Sequence, residues 1–161
     1  MTQPEESRLG SSAATPPDAV GSGGGAAFHF RALERLYASA PINRIFASSL
    51  GIEDEGRARI DFAITSEMFH AAGAAHGTIY FKMLDDAAFY AAHSLVSDRF
   101  LLTTAFNLHF TNAMREGTMS TEGKCISGHG RVFCAESRLL DGTGVEGTRR
   151  TGHFVRPPFP C

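Results

Sequence analysis

The sequence lacks the features that mark several specialised classes of protein. It has only three cysteines in 161 residues, Cys125, Cys134 and Cys161, and their spacing fits neither a disulfide scaffold nor a zinc site. We therefore expect free thiols in a reducing compartment. The formal net charge of -2 argues against nonspecific nucleic-acid binding, which needs a basic surface.

Long hydrophobic runs are missing as well. No stretch of about 18 apolar residues is free of charge, so we expect no membrane-spanning segment. The N-terminus has neither the basic nor the apolar region of a secretory signal. Together with the cysteine usage, this predicts a cytoplasmic protein.

The composition divides the chain into three parts. Residues 1–26 are rich in Gly, Ser and Pro and offer few side chains for a core, so we predict a flexible tail. Residues 27–156 carry the apolar patterns and are predicted to fold as one domain. Residues 157–161 are predicted to be a short C-terminal tail.

The order of the predicted elements favours the α+β class. A helix is predicted from Phe28 to Ala40, followed by a hairpin over 49–65 with alternating apolar residues. The segment from Gly77 to about Leu95 is apolar nearly all round, which is typical of a buried helix. Four strands follow, and their short connections favour antiparallel neighbours; they span 100–111, 118–127, 131–140 and 144–155. We therefore predict one curved antiparallel sheet with a long buried helix against it.

Two adjacent aspartates, Asp85 and Asp86, interrupt this apolar helix. Asp86 has a partner in Lys82, one turn earlier on the same face, and this favours a structural role. Asp85 lies one turn from Phe81 and one turn from Phe89, so we expect its pKa to be raised. A functional carboxylate and a surface position paired to another subunit both fit Asp85.

Gly77 comes directly before the main body of this helix. The first backbone N–H groups of a helix have no internal partner and can bind an oxyanion, and a glycine lets a carbonyl approach closely. Gly77 and Asp85 are eight residues apart, or about 12 Å along a helix. They cannot flank one carbonyl in the same chain, so a site that uses both requires an oligomer.

The segment HAAGAAHGTIYFKMLDD resembles hotdog-fold thioesterases of the phenylacetate-pathway type. In that family a Gly, two residues and His-Gly-Gly precede an apolar helix with an Asp nine residues after the His. Gly73, His76, Gly77 and Asp85 match this spacing. The resemblance extends over about 110 residues, through segments such as LLTTAFNLHFTNAMREG and GHGRVFCAESRLLDGTGV.

The resemblance implies a hotdog fold, with five or six strands wrapped around the helix, and dimers or tetramers with sites between subunits. It implies hydrolysis of thioesters of coenzyme A or acyl carrier protein, without a cofactor. Asp85 would be the general base or nucleophile, and the Gly77 amide of the partner subunit would polarise the carbonyl. Thr103 matches the position of a hydroxyl that helps to place water, with Thr104 as the neighbouring choice.

Two positions depart from the family pattern. Thr78 replaces the second Gly after the His, and His70 replaces a frequent Asn, although a neutral His can still donate a hydrogen bond. His76 is interpreted as packing the loop before the helix. Further candidates for substrate binding are Phe81, which could line an acyl pocket, and Arg131, which could contact coenzyme A phosphates. His70 and His76 lack a third ligand at a familiar spacing, so we predict no metal site.

Two other functions remain open at this stage. A noncatalytic acyl-CoA-binding or regulatory hotdog protein would keep the pocket and lose turnover, and the changes at His70 and Thr78 are compatible with it. A hotdog dehydratase is disfavoured, because it usually carries an acidic residue earlier in the helix, where this chain has Lys82.

Overall fold

The computed structural model describes residues 22–158, and two helices lead into the domain. They are α1, Ser22–Ser39, and α2, Pro41–Phe46. Proline suits the start of α2 because an amide hydrogen has no intrahelical partner there. α1 starts six residues before the predicted Phe28, so residues 22–26, assigned to the tail, are helical. The rest of the predicted N-terminal tail, residues 1–21, lies outside the described residues, as do residues 159–161.

Six antiparallel strands form one sheet in the order β1-β2-β4-β5-β6-β3. Their bounds are Ser49–Asp54, Arg57–Ile64, Leu102–Asn107, Gly117–His129, Val132–Asp141 and Glu146–Val155 for β1 to β6. The β1–β2, β4–β5 and β5–β6 pairings confirm the predicted antiparallel neighbours.

The expectation that consecutive strands pair is wrong for β3. This strand is shorter than the predicted 100–111, and it pairs with β6 at the edge of the sheet rather than with β4. The connection to β4 crosses the start of the long helix, where the Met114 N–H donates to Tyr80 Oη at 2.8 Å. The Met114 carbonyl accepts from the Ala75 N–H at 3.0 Å. These hydrogen bonds fix the connection that runs from β3, at the edge of the sheet, to β4, near its centre.

The long helix, α3, spans Gly77–His93 and confirms the predicted buried helix, since eleven of its 17 residues are buried. Its backbone touches strand β4 at two points. Thr121 Oγ1 donates to the Met83 carbonyl at 3.0 Å. One turn further along, a Cβ on Gly123 would lie 1.9 Å from the Ala87 carbonyl oxygen, so only glycine allows this approach. Within residues 22–158 no helix has the length and apolarity needed to cross a membrane.

Candidate active site

One face of α3 runs along β3 and the segments that flank it. Residues spaced by four on the helix, Gly77, Phe81, Asp85 and Phe89, meet Phe110, Phe106, Thr103 and Phe100 in turn. The helix and the β3 region run in opposite directions, so each successive turn of α3 contacts an earlier residue of the β3 region. We call this set the β3-side face of α3. It places the candidate base, Asp85, in a row of aromatic side chains.

The Asp85 carboxylate is partly buried and has a single side-chain donor in the described part of the chain. Thr103 Oγ1 lies 3.2 Å from Oδ1 and 3.4 Å from Oδ2 of Asp85. Burial raises the pKa of Asp85 to about 6, and the adjacent Asp86 charge adds to the increase. The Thr103 hydrogen bond and the Lys82 charge oppose it. The expectation of a raised pKa is confirmed, and Asp85 is poised to gain or lose a proton near neutral pH.

The neighbouring Asp86 has a different environment, on the side of α3 that faces α1 and α2. It forms an ion pair with Lys82, as predicted. Burial raises the pKa of Asp86, while the charge and hydrogen bond of Lys82 and a hydrogen bond from Tyr37 lower it. This polar cluster accounts for Asp86 and leaves Asp85 without an ion pair within residues 22–158.

The loop before α3 is held in a specific shape. Gly73 has φ +79°, a left-handed conformation that favours glycine, and its N–H donates to the His70 carbonyl at 2.9 Å. His76 is the N-cap of α3, because its Nδ1 accepts from the Thr78 N–H at 3.2 Å. Nδ1 also lies 3.0 Å from Thr78 Oγ1. His76 and Thr78 therefore contact each other at the start of the helix.

The cap leaves the Gly77 amide available. Within residues 22–158 the Gly77 N–H has no hydrogen-bond acceptor, as is usual for the first residue of a helix. The amide borders a cleft of about 280 Å³, lined by His70, Ala75, Gly77, Tyr80, Phe110, Thr111, Asn112 and Ala113. The Phe110 ring packs on Gly77, since a Cβ there would lie 2.7 Å from the ring. His70 and Gly77 thus line the same cleft.

The other predicted residues are spread more widely. Phe81 lies on the β3-side face and packs against Phe106, with the ring centres 5.4 Å apart. Thr104 does not approach Asp85, because its Oγ1 donates to the His153 carbonyl at 3.1 Å. Arg131 lies in the β4–β5 turn and does not line the cleft at the start of α3. Asp85 and Thr103 are in contact with each other. Thr104 and Arg131 belong neither to this contact nor to the cleft beside Gly77.

Two residues of this region were not singled out from the sequence. Phe110 covers Gly77, and the Tyr80 hydroxyl anchors the connection that carries Phe110. Neither position has a recognisable signal, because Phe110 follows the end of β3 and Tyr80 reads as an ordinary core residue. Among residues 22–158 no three His, Cys, Asp or Glu side chains lie together as a metal site requires.

The arrangement supplies two of the parts that acyl transfer needs. A carboxylate with a raised pKa can accept a proton from water, and a free helix N-terminal amide can stabilise an oxyanion. Eight helical residues separate them, which is about 12 Å. A single copy of the chain therefore holds the two parts in separate places.

Comparison with known proteins agrees with this geometry. Residues 72–148 match the model of the thioesterase superfamily. A protein of Saccharolobus solfataricus that is provisionally named an esterase is 27% identical over 110 residues, which cover 66% of this chain and 73% of that protein.

Solved structures share the fold at low sequence identity. The E. coli PaaI protein from the phenylacetic acid degradation operon has a TM-score of 0.74 at 17% identity, covering 84% of this chain and 95% of that chain. A phenylacetic acid degradation-related protein of Ralstonia eutropha, provisionally named a thioesterase, has a TM-score of 0.70 at 18% identity. That match covers 79% of this chain and 98% of the other. The matched segment contains Gly77, Asp85 and Thr103, so the part of the chain that is similar to the thioesterase superfamily carries these candidate site residues. The solved structures show that the chain has the hotdog fold.

Proposed function

We propose that the protein hydrolyses thioesters of coenzyme A or acyl carrier protein, with Asp85 as the general base or nucleophile. The observation that carries this proposal is the Asp85 carboxylate, which lies partly buried in a row of aromatic side chains. It has no ion pair in the described residues and accepts a hydrogen bond from Thr103. Such a group is costly to maintain in a core and is typical of a catalytic carboxylate.

The reaction needs few groups. As a general base, Asp85 takes a proton from a water molecule while the water oxygen bonds to the thioester carbonyl carbon. The carbonyl oxygen becomes an oxyanion, which the Gly77 N–H stabilises. The carbon–sulfur bond then breaks, and the sulfur leaves as a thiolate with little help from an acid, because the pKa of a free thiol is about 8.5. As a nucleophile, Asp85 would instead form an acyl intermediate that water cleaves.

The proposed site combines two subunits, with Gly77 from one and Asp85 from the other. The separation within one chain supports this arrangement. So does the exposure of Phe81 (44%) and Phe110 (60%) on the β3-side face, since exposed aromatic side chains in a row favour a covering surface. The assembly is proposed to be a homodimer or homotetramer in the cytoplasm.

The remaining candidates take supporting roles. Thr103 would orient the attacking water through its hydrogen bond to Asp85, and His70 would orient the carbonyl from the cleft beside Gly77. His76 and Thr78 would set the start of α3, and Phe81 would contact the acyl group. Thr104 and Arg131 are kept as weaker proposals, with Arg131 contacting coenzyme A phosphates from another subunit.

The first test measures thiol release from short, medium, long and aromatic acyl-CoAs by the wild type and by Asp85→Ala. We expect the variant to lose about 100-fold or more in kcat on the best substrate. Asp61→Ala, an exposed carboxylate on β2, is the matched control and should keep its activity. Binding of acyl-CoA without turnover by the wild type would contradict hydrolysis and favour the acyl-CoA-binding function.

A second experiment tests the role of the Gly77 amide. Gly77→Pro removes the N–H at a helix position that tolerates proline, and the extended His76 (φ -68°, ψ 143°) suits a following proline. Gly77→Ala is the matched control, because it adds a Cβ against Phe110 and keeps the N–H. Loss of an oxyanion donor should lower kcat by about 100-fold or more relative to that control.

Mixing the two defective subunits tests the shared site. A mixed dimer of Asp85→Ala and Gly77→Pro subunits contains one site with both groups intact. Random mixing should therefore restore about a quarter of the wild-type activity in a dimer. If the two variants assemble into mixed dimers but recover no activity, Gly77 and Asp85 do not act together across an interface.

A further inference from the structure

Lys82 has two carboxylates within reach and contacts only one of them. Residues three and four positions apart are neighbours on a helix, so Lys82 can reach both Asp85 and Asp86. In the structure its ammonium group pairs with Asp86. Within residues 22–158 it forms no ion pair with Asp85, whose only side-chain donor is Thr103.

The helices α1 and α2 hold the ammonium group on the Asp86 side. Lys82 Nζ donates to Asn43 Oδ1 at 2.6 Å. It also lies 5.4 Å from the centre of the Tyr37 ring and 5.8 Å from that of Phe46, within range for cation–π attraction. Three contacts thus come from residues outside the segment that matches the superfamily model, which begins at residue 72.

Asn43 is itself fixed, so it can select the position of Lys82. Its side chain is buried, with the residue only 5% exposed, and its Nδ2 donates to the Tyr37 carbonyl at 2.7 Å. That bond orients the amide so that Oδ1 points at the ammonium group. A rotation of the Asn43 amide would break both hydrogen bonds and leave buried polar atoms unpaired, which is unfavourable.

No other cation is available to neutralise Asp85 from the packed elements in the described residues. The strand β3, LTTAFN, has no titratable side chain. On β6 the buried Arg150 donates to Thr148 Oγ1 and to the Arg149 carbonyl, and forms no ion pair there. The Cys125 side chain on β4 lies near Gly56, towards the end of α3, and its thiol donates to the Ser127 and Cys134 carbonyls. The charged groups beside Asp85 are therefore Lys82 and Asp86.

We propose that Asn43 is a positioning residue that holds Lys82 on Asp86 and thereby keeps Asp85 free of a cationic partner. The role of Asp85 as base rests on the function proposed above, whereas the position of Lys82 can be measured without turnover. A carboxylate paired with an ammonium group would be a weaker base and would have to break the ion pair to reach water. The N-terminal helices thus act on the candidate site through a single lysine.

The test is a titration of the Asp85 carboxyl carbon by NMR in the full chain, with the signal assigned by its loss in Asp85→Asn. Asn43→Leu removes the acceptor, keeps the branched shape of the side chain and lets Lys82 approach Asp85. We expect the Asp85 titration to move to lower pH by about one unit. Asn43→Ala, which leaves room for water, is the second variant and should shift it in the same direction.

A double-mutant cycle with Lys82→Gln separates positioning from packing. In the Lys82→Gln background, Asn43→Leu should leave the Asp85 titration unchanged, because no cation remains to be moved. An equal shift in both backgrounds, or no shift in folded Asn43→Leu and Asn43→Ala, would overturn the proposal.

The kinetic measurement keeps the two proposals apart. If Asp85 is the base, the acid limb of kcat/KM should move with its NMR titration in Asn43→Leu. A shifted titration without thioester turnover in any protein would leave the positioning role intact and contradict the proposed function. Turnover with an unshifted Asp85 titration would support the proposed function and contradict the positioning role of Asn43.

Discussion

Asp85 and Asp86 are consecutive residues of one helix, and their surroundings differ in almost every respect. Asp86 faces α1 and α2 and is paired with Lys82, with Asn43 and Tyr37 close by. Asp85 faces β3 and receives one hydrogen bond from Thr103, at 3.2 Å. Burial raises the pKa of both carboxyls, but only Asp86 has a cation in direct contact to offset it.

The contrast shows how a helix separates two roles at adjacent positions. A rotation of about 100° per residue turns the two carboxylates towards different parts of the protein. The partners on each side come from distant segments, α1 and α2 on one and β3 on the other. A structural ion pair and a carboxylate without an ion pair in the described residues can therefore lie next to each other, because each environment is built by different elements.

The largest effect on stability is expected from removing Lys82, the cation that pairs with Asp86. Lys82→Met leaves Asp86 buried without its ion pair, so we expect the free energy of unfolding at pH 7 to fall by about 2–3 kcal/mol. The loss of Lys82 raises the folded-state pKa of Asp86 further above its unfolded value. The destabilisation should therefore be small near pH 4 and grow as the pH rises. Urea unfolding at several pH values measures it.

Arg31→Met is the matched control for this change. Arg31 also pairs with an acidic residue on its own helix, Glu34, but its side chain is 68% exposed. An exposed pair of this kind should contribute less than about 1 kcal/mol. Equal losses in the two variants would show that Lys82 and Asp86 behave as an ordinary surface pair.

For Asp85, on the β3 side of the helix, removing the charge is expected to change the stability with the opposite sign. Burial raises the folded pKa of Asp85 from 3.8 to about 6, so the wild type is stabilised below the unfolded value and loses that stability as the pH rises through 6. Asp85→Asn removes the buried charge and should be more stable than the wild type above pH 6, by at most about 3 kcal/mol. The difference should vanish near pH 4. Thermal unfolding from pH 4 to pH 8 checks the sign.

Asp61→Asn provides the comparison for this gain, since it changes an exposed carboxylate. It should alter the stability by less than about 0.5 kcal/mol at any pH in this range. A stabilised Asp85→Asn variant that also loses turnover would show that the carboxylate is kept for activity at a cost in stability. Destabilisation by Asp85→Asn above pH 6 would contradict the view that the buried charge is unfavourable.

The smallest effect is expected from the hydroxyl that contacts Asp85. Thr103→Val removes a hydrogen bond that lowers the pKa of Asp85, so that pKa should rise. The acid limb of kcat/KM should then move up by a few tenths of a pH unit, as expected for one long hydrogen bond. Thr103→Ser keeps the hydroxyl and should retain the wild-type profile. Identical profiles for the Val and Ser variants would exclude a role for the hydrogen bond.

Much of the fold could be predicted because its signals are local. The apolar residues of α3 and the alternation in β2 depend only on nearby positions, and both elements are found as predicted. The pairing of β3 with β6 could not be read in this way, because residues about 50 positions apart determine it. The start of α1 was placed too late because Gly23, Gly24 and Gly25 are unfavourable in a helix on their own.

The candidate site was predictable where a motif fixes the spacing. Gly73, His76 and Gly77 form the turn and cap before α3, and Asp85 lies two turns further on. The contacts that tune Asp85 depend on the fold instead. Nothing in the sequence around Asn43 indicates that it binds Lys82, since the two are 39 residues apart. The Phe110 ring reaches Gly77 only because the connection after β3 crosses the start of the helix.

The two backbone contacts between α3 and β4 have a consequence for catalysis. Asp85 lies midway between Met83, which is bonded to Thr121, and Ala87, which touches Gly123. The helix can neither slide along the sheet nor rise from it at this point without breaking one of these contacts. The carboxylate is therefore anchored on both sides along the chain before any substrate arrives. A reaction at this position would begin with its base already in place and would need little reorganisation of the protein.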